Sequence, residues 1–216
     1  MRGRFITFEG GEGSGKSTQA RLLVDALRAR GIAVTQTREP GGSPFAEAVR
    51  GVVMSAAHAA VTPLAEALLF SAARADHLAA TIRPALDTGH WVVCDRFADS
   101  TRVYQGAAAG LDSAHIEALE RMVVGATTPD LTLLLDIEPA EGLARATARR
   151  SGGGAAPIDA DTFETRHLDF HARLRAGFLD IAAREPHRMA TIDATPDRDV
   201  VQDAIWAVVT ARLGPF

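Results

Sequence analysis

An α/β fold built on a parallel sheet is what this sequence predicts, and three observations carry the expectation. Short apolar runs alternate with longer amphipathic stretches, as in repeated strand–helix–strand units. Of five such runs, three end in Asp and one in Glu, which suits the carboxyl edge of an open sheet, where ligands gather. The first run passes directly into a glycine-rich turn and then into an amphipathic helix.

Taken in order, the strands are expected at Phe5–Glu9, Ala33–Thr37, Trp91–Asp95, Leu131–Asp136 and Met189–Asp193. Helices are expected after Lys16 (over Gln19 to Arg30), Pro44, Pro63, Asp99, Asp112, Pro139, Asp159 and Pro196. Ser43-Pro44, Thr62-Pro63 and Thr195-Pro196 each read as an N-cap residue followed by proline in the first turn. Asp136 and Asp193 are expected to cap the turn or helix that follows them. From Asp161 to Arg184, Phe163, Phe170, Leu174, Phe178 and Ile181 recur at threes and fours, a buried stripe. His167 falls on that stripe and reads as a packed histidine.

The segment Arg149-Arg150-Ser151-Gly152-Gly153-Gly154-Ala155-Ala156-Pro157 breaks the pattern, with three consecutive glycines between two helices. Its backbone is too permissive to bury much. It reads as a mobile lid over about 145–160. A plain linker would not need Arg145, Arg149 and Arg150 leading into it.

The 216 residues suit one domain with a small insert. Net charge is −4, and no basic stripe offers itself to a nucleic acid polymer. No apolar run approaches the ~18 residues of a membrane span, and the first one stops at Glu9, short of a signal-peptide core. A single cysteine, Cys94, fits a reducing cytoplasmic location. Among 23 basic residues only Lys16 is a lysine, so it sits where an arginine fork would not serve.

Lys16 closes the sequence Gly10-Gly11-Glu12-Gly13-Ser14-Gly15-Lys16-Ser17, a match to G-x-x-x-x-G-K-[ST] in the required strand–turn–helix context. The glycines let backbone N–H groups converge on a phosphate at a helix N-terminus. Lys16 is placed to reach the β- and γ-phosphates, and the Ser17 hydroxyl to ligate Mg²⁺. Nucleoside triphosphate binding follows, but the reaction does not. A second cluster lies after the other strands. Phe70 and Arg74, four apart, share a helix face, and a ring beside a guanidinium suits a planar heterocycle bearing an exocyclic oxygen. Thr101, Tyr104 and Gln105 share another face, and Arg38 and Arg96 follow strands. Taken singly, Phe70 could be core, Arg74 a surface charge and Tyr104 a packing residue. Together they point to a second nucleotide pocket.

With FEGGEGSGKST at 8–18, TREPGG at 37–42, LLFSAARADH at 68–77, DRFADSTRVYQG at 95–106, PDLTLLLD at 129–136 and TIDAT at 191–195, the chain resembles the thymidylate kinase family from end to end. The resemblance implies a P-loop NTPase fold, a five-stranded parallel sheet flanked by helices, in a single nucleoside monophosphate kinase domain over 1–216. It implies transfer of the γ-phosphoryl group of ATP to dTMP in dTTP synthesis, with Mg²⁺, usually by a homodimer. Carried over by position, Gly10, Gly11, Glu12, Gly13, Ser14, Gly15, Lys16, Ser17 and Thr18 form the ATP-binding loop. Glu12 meets the acceptor 3′-hydroxyl, Phe70 stacks on thymine, Arg74 lies at the base edge and Thr101 near the ring N3, with Ser100 and Gln105 beside them. Tyr104 lies beneath the sugar and disfavours a 2′-hydroxyl. Arg38 and Arg96 hold the acceptor phosphate, and Asp95 lies near the metal. With no basic residue at positions 11 to 14, the loop resembles the bacterial type whose catalytic arginines come from the lid, with Arg145, Arg149 and Arg150 as candidates; the resemblance implies Lys16, Arg96, Arg149 and Arg150 as catalytic residues and Arg145 as an ATP contact. Phe97 stands where many relatives carry Tyr or His.

Two rival readings remain at this point. One is a P-loop kinase for another nucleoside or monophosphate. The other is a nucleotide-gated binding module, but the Asn-Lys-x-Asp base-reading motif of GTPase-like switches cannot exist in a chain without asparagine.

Overall fold

A computed structural model describes residues 2–55, 61–152 and 167–215, with no side-chain description for 150–152. Five strands form one parallel sheet in the order β2-β3-β1-β4-β5: β1 Phe5–Glu9, β2 Val34–Arg38, β3 Trp91–Asp95, β4 Leu131–Asp136 and β5 Met189–Asp193. The central strand β1 is buried along its whole length, which explains its unbroken apolar pattern: a parallel sheet is covered on both faces. On one face α1 (Lys16–Arg28) and α9 (Arg198–Leu213) enclose Phe8, Leu23, Val24, Leu27, Leu133, Ile205 and Val209. The other face carries α2 (Pro44–Val53), α3 (Pro63–His77), α4 (Arg83–Asp87), α5 (Ala98–Thr101), α6 (Ser113–Val123), α7 (Pro139–Gly152) and α8 (Leu168–Arg184) around three further apolar clusters.

Neighbours on either side of β1 lead away in opposite directions, so its carboxyl end is the switch point where α/β sheets bind ligands. The strands run as expected, with β2 one residue later than read from sequence. Ser43 and Thr62 accept bonds from the Ala46 and Ala65 N–H groups, as their capping role requires.

Four sequence expectations are corrected. Helix α1 begins at Lys16 itself and ends at Arg28, so the phosphate loop passes into helix without a spacer. Helix α9 starts at Arg198 behind Asp197, two residues later than the Thr195-Pro196 pair suggested, and Thr195 belongs to the preceding turn, where its N–H donates to Asp193 at 2.9 Å. Asp193 therefore caps as expected, whereas Asp136 is held in two bonds from Arg175, at 2.8 and 3.0 Å, across to α8. His167 is exposed, with extended backbone just before α8, and the buried histidine is His171 one turn on. The stripe of Phe170, Leu174, Phe178 and Ile181 is buried as read. Phe163 and residues 153–160 of the expected lid lie outside the described residues.

Two helices contain π turns, at Leu78–Ile82 between α3 and α4 and at Arg102–Ala108 after α5. The first precedes Pro84, whose missing N–H and ring cannot continue an α-helical ladder. The second shifts the periodicity where the candidate site residues Tyr104 and Gln105 sit.

Candidate active site

A cavity of about 340 Å³ opens at the carboxyl ends of β1, β2 and β3. Its floor is the loop after β1. Gly13 has φ +69, and a Cβ there would lie 1.9 Å from the Gly142 carbonyl oxygen of α7. At Gly10, φ +140, a Cβ would lie 2.4 Å from the Leu135 carbonyl oxygen. Only glycine allows this closeness and this backbone region. The cap position of α1, Gly15, has no side chain to satisfy the first-turn N–H groups, so they remain suited to an anion. Lys16 is buried, and its Nζ donates to the Gly11 carbonyl at 2.6 Å and the Ser14 hydroxyl at 3.3 Å. Burial, with Arg96 nearby, lowers the Lys16 ammonium to about 8. Glu12, Gly13, Gly15, Lys16 and Ser17 face the cavity; Gly10, Gly11 and Ser14 lie beneath it, and Thr18 is exposed on the first turn of α1.

The loop after β3 forms the opposite wall. Arg96 has φ 69, the only positive value at a non-glycine among the described residues. Such strain persists where surroundings over-determine it, and they do. The Arg96 N–H donates to the Phe8 carbonyl at 2.9 Å, and the Cys94 thiol donates to the Arg96 carbonyl at 3.0 Å. Glu9, fully buried at the end of β1, accepts from the N–H groups of Phe97 (2.8 Å) and Ser100 (3.2 Å) and from the Ser100 hydroxyl (2.6 Å). Burial, reinforced by the charge of Asp99, raises the Glu9 carboxyl to about 7. The guanidinium of Arg96 then reaches the Gly10 carbonyl (3.2 Å), the Ser100 hydroxyl (3.3 Å) and Glu12 (2.9 Å), 5.0 Å above the Tyr104 ring. The Tyr104 hydroxyl also donates to Glu12. Burial alone would raise Glu12, but Arg96, Lys16 and the tyrosine hydroxyl hold it at about 2.

Ser17 donates its hydroxyl to the Asp95 carboxylate. Two hard oxygen donors meeting beside the phosphate loop fit Mg²⁺, which takes few protein ligands and fills its shell with phosphate and water oxygens. Among the described residues no group of three or more His, Cys, Asp or Glu side chains forms a closed metal cage.

Deeper in the cavity Phe70 is half-buried and Arg74 buried. Arg74 donates to Glu39 (2.7 Å), the Phe97 carbonyl (3.2 Å) and the Thr101 hydroxyl (3.1 Å). Ser100, Thr101, Tyr104 and Gln105 share this wall, and Gln105 is fixed by Glu66 at 2.5 Å. Arg38 lines the rim, paired with Glu47 at 3.2 Å. Arg149 faces the cavity from α7. Arg145, one turn earlier, does not line it but grips the carbonyls of Ala194 (2.7 Å) and Thr195 (2.6 Å). The side chain of Arg150 lies outside the described residues.

Sequence reasoning missed Glu9, Glu39 and Arg50. Glu9 ends a strand, a signal that was visible but read as generic. Glu39 lies inside TREPGG yet carried no separate chemistry, and Arg50, which lines the cavity and donates to the Pro40 carbonyl at 3.1 Å, belongs to no motif that would single it out.

A phosphate-gripping loop facing arginines and an aromatic wall across one cleft defines a P-loop phosphotransferase, with one anion site for a donor and another for an acceptor. The family model described as Thymidylate kinase matches residues 8–205. A thymidylate kinase of Caulobacter vibrioides is 54% identical over 213 residues, covering 99% of each chain. That of Afipia carboxidovorans is 52% identical over 212 residues, covering 98% of this chain and 91% of its own. The crystal structure of thymidylate kinase from Ehrlichia chaffeensis superposes with a TM-score of 0.77 at 33% identity, covering 97% of this chain and 99% of its own. The chain belongs to the thymidylate kinase family.

Proposed function

We infer that this chain transfers the γ-phosphoryl group of ATP to dTMP, giving dTDP and ADP, a step of dTTP synthesis. The observation that carries this reading is one cavity holding Lys16 on one wall and Arg96, Phe70 and Arg74 on the other. An acceptor phosphate is already an oxygen anion, so no general base is needed. The obstacle is repulsion: each monoester brings about −1.5 to −2 of charge at neutral pH. Catalysis then rests on positioning and charge neutralisation.

In this reading Lys16 holds the donor β- and γ-phosphates, and the first-turn N–H groups of α1 add partial positive charge. Ser17 and Asp95 hold Mg²⁺, which when bound neutralises phosphate oxygens and orients them. Arg96, with Arg38 at the rim, holds the acceptor phosphate. Glu12, ionised and fixed by Arg96 and Tyr104, accepts from the acceptor 3′-hydroxyl. Phe70 stacks on the base, while Arg74 donates at its edge and Thr101 lies near N3. Arg149, assisted by Arg150, supplies positive charge at the transition state, an effect worth about 10³–10⁵ in rate in related phosphoryl transfers. Arg145 braces the loop after β5 on the donor side.

The whole chain, 1–216, is taken as one kinase domain with a lid over about 145–160, acting in the cytoplasm as a homodimer. Phe45, Val52, Leu64 and Leu68, exposed on α2 and α3, supply an apolar face for the second copy. Among the described residues no helix is long and apolar enough to cross a membrane.

Coupled ADP release across dTMP, dUMP, dCMP, dGMP and thymidine tests the activity. The expected order places dTMP first and thymidine at background. ADP release that is equally fast without any acceptor overturns it.

A further inference from the structure

Arg74 is aimed from behind. The far oxygen of Glu39 meets the Nδ1 of His77 at 3.1 Å, and the Nε2 of His77 meets the Thr37 hydroxyl at 2.7 Å. Glu39 is 7% exposed, Arg74 3% and His77 0%, so the bonds of Glu39 to Arg74 and to His77 are shielded from water. His77 lies one turn beyond Arg74 on α3, while Thr37 and Glu39 alternate at the end of β2 and so point the same way. Four side chains thus form one line, Thr37–His77–Glu39–Arg74, joining β2 to α3. One oxygen of Glu39 accepts from the Arg74 guanidinium and the other meets the His77 ring, whose second nitrogen bonds to the Thr37 hydroxyl, a group able to donate or accept. The loop behind the ring is closed. A Cβ on Gly42 would lie 2.3 Å from Nε2 and 2.4 Å from the Thr37 hydroxyl oxygen. The carbonyl of Gly42 is pinned by Thr81 at 2.7 Å. The ring has no room to turn toward the loop, and Glu39 is fixed at both oxygens.

We propose that His77, oriented by Thr37, is a positioning residue that sets substrate selectivity by fixing Glu39 and thereby aiming the Arg74 guanidinium at the acceptor base. None of the side-chain bonds of this line involves Lys16, Ser17, Arg38 or Arg96. Its loss therefore weakens recognition of the base and leaves the donor side untouched. The inference rests on the reading of Arg74 as the base-edge donor, and Arg74→Ala tests that reading separately.

The experiment measures kcat and KM for dTMP, KM for ATP and the dTMP-over-dCMP preference in His77→Leu, His77→Asn, Thr37→Val and Arg74→Ala. Losing one charge-assisted bond is expected to raise KM for dTMP by about tenfold in His77→Leu. Its kcat is expected to stay within about threefold and its ATP KM unchanged, with the preference falling by a similar factor. His77→Asn keeps an N–H near Nδ1, so it is expected to recover most of the loss. Thr37→Val frees the ring and is expected to raise KM for dTMP by about threefold. If His77→Leu does not fold, Thr37→Val and His77→Asn decide the matter on the same readouts. The proposal is overturned if Arg74→Ala raises KM for dTMP while the folded His77 and Thr37 variants match wild type. It is also overturned if KM rises equally for ATP. If Arg74→Ala itself leaves dTMP binding unchanged, the reading of the base site fails instead.

Discussion

Replacing Lys16 with methionine is expected to abolish catalysis and yet stabilise the protein. The folded chain lowers this ammonium from 10.5 to about 8, which corresponds to a cost of about 3 kcal/mol for keeping the group charged below pH 8. Methionine fills the same unbranched path without a charge. Two bonds from Nζ are lost, but the Gly11 carbonyl keeps its bond from the Ser14 hydroxyl at 2.9 Å, so no acceptor is orphaned. Taking about 1 kcal/mol for those bonds, Lys16→Met is expected to be about 2 kcal/mol more stable at pH 7. The sign with pH follows from proton counting. Between about 8 and 10.5 the unfolded chain holds the Lys16 proton and the folded chain does not, so wild-type stability rises with pH across that window. The variant lacks this rise, and the gap narrows toward pH 10. Urea unfolding of both proteins at half-unit steps from pH 7 to pH 10 measures it. A variant less stable than wild type at pH 7, or a gap constant with pH, would refute this account of the buried charge.

Other expectations follow from the same geometry. Arg96→Lys keeps a charge but cannot reach Gly10, Ser100 and Glu12 together, and kcat/KM for dTMP is expected to fall by about 10²-fold in steady-state assays. Tyr104→Phe removes a hydroxyl from Glu12 and is expected to narrow the preference for dUMP over UMP while circular dichroism shows an intact fold. Arg149→Ala or Arg150→Ala is expected to lower kcat more than it raises KM for dTMP, which single-turnover kinetics separates from product release.

The sheet was legible because β1, β3, β4 and β5 are short apolar runs with no competing helical period, and their limits match residue for residue. The phosphate loop was legible because glycine spacing is a backbone requirement that sequence displays directly. The caps at Ser43 and Thr62 were legible too, and what failed was the start of particular other helices. His167 was placed on a helical stripe, yet it stands just before Leu168, where α8 begins, and Thr195-Pro196 had the composition of a cap while α9 starts behind Asp197. Glu9 and Glu39 escaped notice for a different reason. Each acts on backbone or side chains 35 to 91 positions away, and no local pattern records such a pairing. The face shared by Thr101, Tyr104 and Gln105 was read on a 3.6-residue period, yet Tyr104 and Gln105 reach the cavity from a π turn that begins just after Thr101 ends α5.

Cys94 lies on β3 beside the central strand, fully shielded, with its proton committed to the Arg96 carbonyl and its ionisation suppressed by burial. As the chain's sole sulfhydryl, it makes the molecule its own stopwatch. An alkylating reagent can enter only when β3 comes apart, so the labelling rate counts openings of the central scaffold. Nucleotides that clasp the adjoining arginine turn should slow that clock in proportion to how tightly they hold on.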